Sequence, residues 1–170
     1  MTLYAVTVIG HDRPGIIADV TGVLAELGGN LEDSSMTLLR GHFAWTLVVA
    51  GESSGEAVAA RLAHLVEEGL VVSVLPVPDP GATPVAGAAY LLSVHGADRP
   101  GIVSRLTSVV AAAGGNITDL TTRLSGALYV LVAEVDVPRG AVQVLADRLA
   151  AAAADLGVEV TLRPADPDLL

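Results

Sequence analysis

The chain has 170 residues and a mass of 17.2 kDa, room for one ordinary domain or two of roughly 80 residues. With 52% apolar residues, 16% charged residues and a mean hydropathy of +0.60, it is not a disordered sequence. Nine arginines, no lysine and nineteen acids give a net charge of -10, a poor match for nucleic acid; the absence of cysteine excludes disulfides, thiol nucleophiles and thiolate metal sites.

In chain order, Leu3 to Ile9 alternates in apolar character and is rich in β-branched residues, which predicts a strand. A helix is then predicted from Pro14, with Arg13 as N-cap and Ile16, Val20, Val23, Leu24 and Leu27 on one face. Gly28-Gly29 ends it. Two strands follow, Leu31 to Leu39 and His42 to Ala50, joined by a short hairpin at Arg40-Gly41. Ser53-Ser54-Gly55-Glu56 reads as a capping box ahead of Val58, Leu62 and Leu65 on one helical face, and Leu70 to Leu75 as a closing strand.

The whole series then returns. Val8 to Asp33 matches Val94 to Asp119 at an offset of 86, with 14 of 26 positions identical. Gly41-His42-Phe43 aligns best with Gly126-Ala127-Leu128, a slip to an offset of 85. The second series is Tyr90 to His95, Pro100 to Ala113, Ile117 to Leu124, Leu128 to Val135, a helix from Pro138 to Leu156, and Val158 to Arg163. This divides the chain into a unit at 1–76, a proline-rich linker at 77–87, a unit at 88–165 and a tail at 166–170. The order βαββαβ predicts an α+β fold made of two ferredoxin-like units, each a four-stranded antiparallel sheet with helices on one face. Two such units should pair with one another.

The recurring Gly-x-Asp-Arg-Pro-Gly-Ile lies where the first strand of each unit turns into its first helix. A helix start offers main-chain N–H groups without intrahelical partners, here those of Gly15 and Ile16, or Gly101 and Ile102, and these suit a carboxylate. Asp12 and Asp98 stand beside them as acceptors for an ammonium group. Asn30 and Asn116 open the second strands and are expected to reach the same ligand with donor and acceptor. The plainer alternative is a turn in which the aspartate bonds its own backbone and the asparagine fills a left-handed position. The ligand this chemistry describes is a free amino acid, held by charge-assisted hydrogen bonds with millimolar to micromolar affinity.

These motifs, VIGHDRPGI and VHGADRPGI each followed by Gly-Gly-Asn, resemble the ACT-domain family of amino-acid-sensing regulatory modules. Two units without a catalytic domain are similar to tandem members that act as regulators. The resemblance implies a ferredoxin-like fold, side-by-side pairing of units, and amino-acid ligands at the interface between them. It points to Asp12, Gly15, Ile16 and Asn30, and to Asp98, Gly101, Ile102 and Asn116, as ligand contacts. Some serine-sensing members carry His and Asn where this chain has Gly10 and Asp12, so serine specificity does not transfer. His11 becomes Ala97 in the second copy, which suggests two unequal sites.

Other classes fit less well. The four histidines fall on different elements, without metal spacing or a nucleophilic triad, and no cofactor is implied. An acylphosphatase-like enzyme would use Arg13 with Asn30, but Asp12 would repel a phosphoryl group. Tyr4, Phe43 and Trp45 could form an RNA-stacking platform, yet such platforms accompany basic surfaces, so Trp45 reads as core or interface. A ligand-independent interaction module using sheet edges is the main alternative. Neither a signal peptide nor a membrane span is indicated, because His11 and Asp12 break the first apolar run and proline breaks the one at 80–97. The expectation is a cytoplasmic, non-catalytic regulator and homodimer that binds an amino acid. It would control a partner protein, with transcriptional control in glycine metabolism the expected setting and no direct contact with nucleic acid.

Overall fold

The structure is a computed structural model and describes residues 1–78 and 87–165. The chain divides into two compact units, Met1–Ala82 and Thr83–Leu170. The first contains β1 (Thr2–His11), α1 (Ile16–Glu26), β2 (Asn30–Leu39), β3 (His42–Gly51), α2 (Gly55–Arg61), α3 (Ala63–Glu67) and β4 (Val71–Val77). The second contains β5 (Gly87–Ala97), α4 (Ile102–Ala112), β6 (Asn116–Ser125), β7 (Leu128–Pro138), α5 (Val142–Leu156) and β8 (Val158–Pro164). Each sheet is antiparallel, in the orders β2-β3-β1-β4 and β6-β7-β5-β8. Both units therefore have the ferredoxin-like arrangement that the element order predicts. The middle of the linker and the tail lie outside the described residues, and Val77 and Gly87, expected in the linker, are strand residues.

The apolar periodicities set the layers. Alternate residues of β1 (Tyr4, Val6 and Val8) and of β3 (Phe43, Trp45, Leu47 and Val49) point under the helices and are buried. Ile16, Val20 and Leu24 of α1 and Val58, Leu62 and Leu65 of the second helical segment close over them. Phe43 and Trp45 meet edge to face at 6.3 Å inside this core, together with Tyr4, so the three rings are not a surface platform. In the second unit Ile102, Leu106 and Val110 join Leu145, Leu149, Ala152 and Ala153 over Leu92, Val94, Leu131, Ala133 and Val135. No buried side-chain nitrogen or oxygen is left without a partner among the described residues.

Four local expectations are corrected. The first helix begins at Ile16 rather than Pro14, and its N-cap is Gly15 at φ 97°, ψ -14°. Those angles fit the second corner of a type II turn with Pro14 at the first corner, so proline feeds the turn and not the helix. The helix expected at Pro138 begins at Val142, because Pro138 still pairs with Gly87 and Gly140 turns the chain at φ 83°. The cap of α2 is Ser54, whose Oγ accepts from the Ala57 N–H at 3.2 Å. Ser53 instead donates to the Leu27 carbonyl at 3.2 Å, tying the end of α1 to the start of α2.

The fourth correction concerns the repeat. His11 pairs with His42 and Ala97 with Leu128, so the offset across the hairpin is still 86. Both hairpins have two-residue loops, and the glycine has merely moved from the second central position (Gly41) to the first (Gly126). Length changes only later: Val8 pairs with Val72 and Val94 with Val160, an offset of 88. The second unit uses its two extra residues in a continuous α5. In the first unit the helix breaks at Leu62 (φ -90°, ψ 0°) into α2 and α3.

Two substitutions separate backbone strain from crowding. A Cβ on Gly101 meets nothing within 4 Å, but φ is 92°, so Gly101→Ala is expected to cost about 1–2 kcal/mol through backbone strain. A Cβ on Gly96 would lie 2.9 Å from Val158 Cγ1 and 3.1 Å from its Cα, so Gly96→Ala should cost about 1–3 kcal/mol by overpacking. Urea denaturation of both variants checks this; unchanged midpoints would contradict it.

Candidate functional site

The candidate site grows from the corner at Gly15. Its left-handed backbone turns the chain from β1 into α1, and the Gly15 carbonyl accepts the first intrahelical bond, from Asp19 N–H at 2.9 Å. The N–H groups of Ile16, Ile17 and Ala18 precede that bond and have no intrahelical acceptor, and no side chain caps them. The second unit repeats this: the Gly101 carbonyl accepts from Arg105 at 2.9 Å, with Ile102, Val103 and Ser104 ahead of it. Ile16 and Ile102 bury their side chains in the two cores, which anchors the turn and leaves only their main chain for contact. Gly15 and Gly101 are exposed.

Asp12 and Asp98 are also exposed at these corners, and neither makes an ion pair among the described residues. Their backbones are fixed: Asp12 N–H donates to the Gly41 carbonyl at 3.3 Å and Asp98 N–H to Ala127 at 3.4 Å. The hairpin tip thus braces the turn. In the first unit the hairpin end also brings the His42 ring to 5.3 Å from His11, a pair that Leu128 and Ala97 replace in the second.

The asparagines are elsewhere. β1 and β2 both run antiparallel to β3, so they are parallel to one another, and α1 returns the chain to the starting end of β1 before β2 begins. Asn30 pairs with Ala50, whereas the Asp12 turn follows the His11–His42 pair. Those rows are eight residues apart on β3, about 26 Å at a strand's rise. Asn116, opposite Asp136, has the same separation from the turn after Ala97–Leu128. The expectation that each asparagine shares a ligand with the aspartate of its own unit is therefore corrected. The same distance removes the Arg13–Asn30 pairing of the acylphosphatase reading. Asn116 instead lines an open groove of about 380 Å³ with Thr107, Ser108, Gly115 and Ile117.

The arginines hold the turns. Arg13 lies between Asp19 of α1, at 3.3 Å, and Glu68 beyond α3, and also donates to the Pro14 carbonyl at 3.2 Å. Arg99 donates to the Leu156 carbonyl at 3.0 Å, putting a cation on the C-terminal end of α5. Neither is an N-cap, though each secures a helix end. At the first corner two carboxylates, Asp19 and Glu68, engage the Arg13 guanidinium, and Asp12 adds a third acid on the same turn. At the second, Arg105 replaces Asp19 and Leu156 replaces Glu68, leaving Asp98 with Arg99 and Arg105. Arg105 is exposed and makes no ion pair among the described residues. This reversal of charge was readable from the 86-residue offset, since 19 and 105 are equivalent positions.

Gly10 and Gly96 hold the space behind each corner. A Cβ on Gly10 would come within 2.5 Å of Leu70 Cδ2, the counterpart of the Gly96–Val158 contact. A larger side chain at Gly10 would press on Leu70.

The fold and the corners together define a class: tandem ferredoxin-like units, each with an open helix start after its first strand. The ACT-domain family model matches residues 3–70 and 89–163, and the chain belongs to that family. It is 29% identical over 121 residues to the glycine cleavage system transcriptional repressor of Escherichia coli, 69% of this chain and 63% of that protein. It is 55% identical over 49 residues to the UPF0237 protein MK1213 of Methanopyrus kandleri, 29% of this chain and 54% of that one. The chain thus spans between about half and two thirds of the length of these relatives. A solved structure of an unknown protein from Galdieria sulphuraria superposes with a TM-score of 0.82 at 28% identity, covering 97% of this chain and 99% of that one. Among the described residues no helix is long and apolar enough to cross a membrane.

The two arginines should differ on removal. Arg13→Ala deletes exposed ion pairs and is expected to change stability by less than about 1 kcal/mol. Arg99→Ala removes a charge-assisted hydrogen bond from a helix-end carbonyl and should cost about 1–2 kcal/mol, a loss that added salt reduces only in part. Thermal unfolding at low and high salt distinguishes them: Arg99→Ala should show the larger loss at both, and equal losses would contradict the assignment.

Proposed function

We propose that this ACT-family chain is a non-catalytic regulator that binds a free amino acid at its strand-to-helix corners and passes the bound state to a partner protein. The observation that carries this reading is the pairing, at each corner, of unbonded main-chain N–H groups with an exposed aspartate whose backbone is braced by the hairpin. Donors for a carboxylate and an acceptor for an ammonium then lie on one turn. A charge-assisted hydrogen bond contributes about 1.5–3 kcal/mol, so three or four, less ordering costs, correspond to millimolar to micromolar binding.

The contact residues of the proposal are Asp12, Gly15 and Ile16 in the first unit and Asp98, Gly101 and Ile102 in the second. Neither asparagine reaches the corner of its own unit, so Asn30 and Asn116 are not needed for the reading. The second corner is the stronger site, because three carboxylates crowd the first while Arg99 and Arg105 favour an incoming carboxylate at the second. Similarity to the E. coli repressor supports a role in controlling amino-acid metabolism, with glycine metabolism the specific suggestion. At a net charge of -10 the chain would act on transcription through another protein in the cytoplasm, not by holding DNA.

Thermal shift over the twenty amino acids tests this. At least one should raise the melting temperature in proportion to RT ln(1 + [L]/Kd). Asp98→Ala should remove most of that gain and Asp12→Ala less, with unliganded stability nearly unchanged because both side chains are exposed. A purely structural interaction module would show no shift with any amino acid and keep its partner in both variants, and that outcome would defeat the proposal.

A further inference from the structure

From the last rung of the β1–β3 ladder we infer that His11 and His42 form a two-imidazole site for a divalent metal ion of the Zn²⁺, Ni²⁺ and Cu²⁺ class. The two residues are far apart in sequence, and only the strand register sets them directly opposite one another. Phe43 turns into the core, so His42 takes the open side of the sheet. His11 shares that side, because a Cβ on the preceding Gly10 would point at the core residue Leu70. The two ring centroids are 5.3 Å apart. A bond of about 2.0–2.1 Å from Zn²⁺ to an imidazole nitrogen puts each centroid about 3.2 Å from the ion, and two rings at a tetrahedral angle about 5 Å apart. The pair thus stands near chelating separation.

Both rings are available. Neither makes a hydrogen bond or ion pair among the described residues, whereas His64 Nδ1 lies 3.1 Å from the Arg61 carbonyl and His95 Nε2 lies 3.1 Å from Glu159 on the open face of the second sheet. The flanking positions on the first open face, Ile9, Leu39 and Ala44, are apolar and offer no competing partner. No set of three or more histidines and acids fit to hold an ion occurs among the described residues, so the chain supplies two ligands and solution supplies the rest. Imidazole suits Zn²⁺, Ni²⁺ and Cu²⁺, whereas Mg²⁺ and Ca²⁺ seek oxygen. With half the protein ligands of a closed structural site, the affinity belongs in the micromolar range.

The duplication supplies an internal control. At the same rung the second unit pairs Ala97 with Leu128, neither of which can ligate. Charge changes together with the ligands. Three acids at the first corner (Asp12, Asp19 and Glu68) stand with two arginines, Arg13 and Arg40 of the hairpin tip, whereas at the second Asp98 stands with Arg99 and Arg105. The corner that has the imidazoles is the one whose charge attracts a cation, and the corner that lacks them is the one that repels it. A bound ion would also clasp β1 to β3 beside the 3.3 Å bond from Asp12 N–H to the Gly41 carbonyl, stiffening the first turn alone.

Calorimetric titration of the full, tag-free chain with Zn²⁺ in a non-coordinating buffer tests the inference. No amino acid is present, so the outcome is separate from that of the ligand reading. The native chain should bind one ion with a micromolar Kd, and excess Mg²⁺ should not displace it. His11→Ala and His42→Ala should each weaken binding by about tenfold or more. His42→Phe should do the same while keeping two rings in contact, which separates ligation from a purely aromatic pair. His95→Ala, which removes the contact with Glu159, should leave binding unchanged. Far-UV circular dichroism establishes that the variants are folded. A native chain without micromolar binding, binding that survives the substitutions at His11 and His42, or an equal loss in His95→Ala overturns the inference.

Discussion

A backbone corner that only glycine adopts cheaply sets the geometry on which the functional reading depends. At Gly15 and Gly101 the chain passes through positive φ between proline and isoleucine. The helix can start only after that corner, so its first main-chain donors emerge at the exposed tip of the strand instead of inside a proline-led first turn. The isoleucine that follows is driven into the core and locks the turn from below. The hairpin carbonyl that accepts from the aspartate N–H locks it from the side. Main-chain donors and an aspartate thereby share one rigid corner in each unit.

Much of this was legible in the sequence, because the relevant signals are local. Alternation over Leu3 to Ile9 and the stripe from Ile16 to Leu27 each follow from one element's burial: the structure buries Tyr4, Val6 and Val8 of the first and Ile16, Val20 and Leu24 of the second, with Val23 and Leu27 half-buried against them. The element order gave the ferredoxin-like topology, and the loop motif gave the family. What was missed depends on geometry that residue types do not encode. Proline is common both at a helix start and at the first corner of a type II turn. The choice between these turns on the φ of the following glycine. The position of Asn30 depends on strand direction: a strand, a returning helix and a second strand leave the two strand starts together and the first strand's end far away.

The duplication shows which features the fold demands and which it leaves free. The corner, the packing glycine behind it, and the strand and helix stripes occur in both units, and each has a direct packing or backbone reason. The helical break at Leu62, the replacement of Asp19 by Arg105 and the exchange of an apolar open face for a charged one occur in one unit only. Those differences lie on the surface or in connections, where the core tolerates change. They make the halves unequal in chemistry: one corner is rich in carboxylates and the other in guanidinium groups, and one open sheet face is apolar where the other is charged.

The claim at the centre of this account is that main-chain donors at the corners meet the ligand. Amide-resolved NMR titration with whichever amino acid stabilises the chain measures this directly. The account predicts that the largest shifts fall on Gly101, Ile102 and Val103, with smaller ones at Gly15, Ile16 and Ile17. Saturable shifts confined to other surfaces, such as the groove beside Asn116, with the corner amides unmoved, would contradict it.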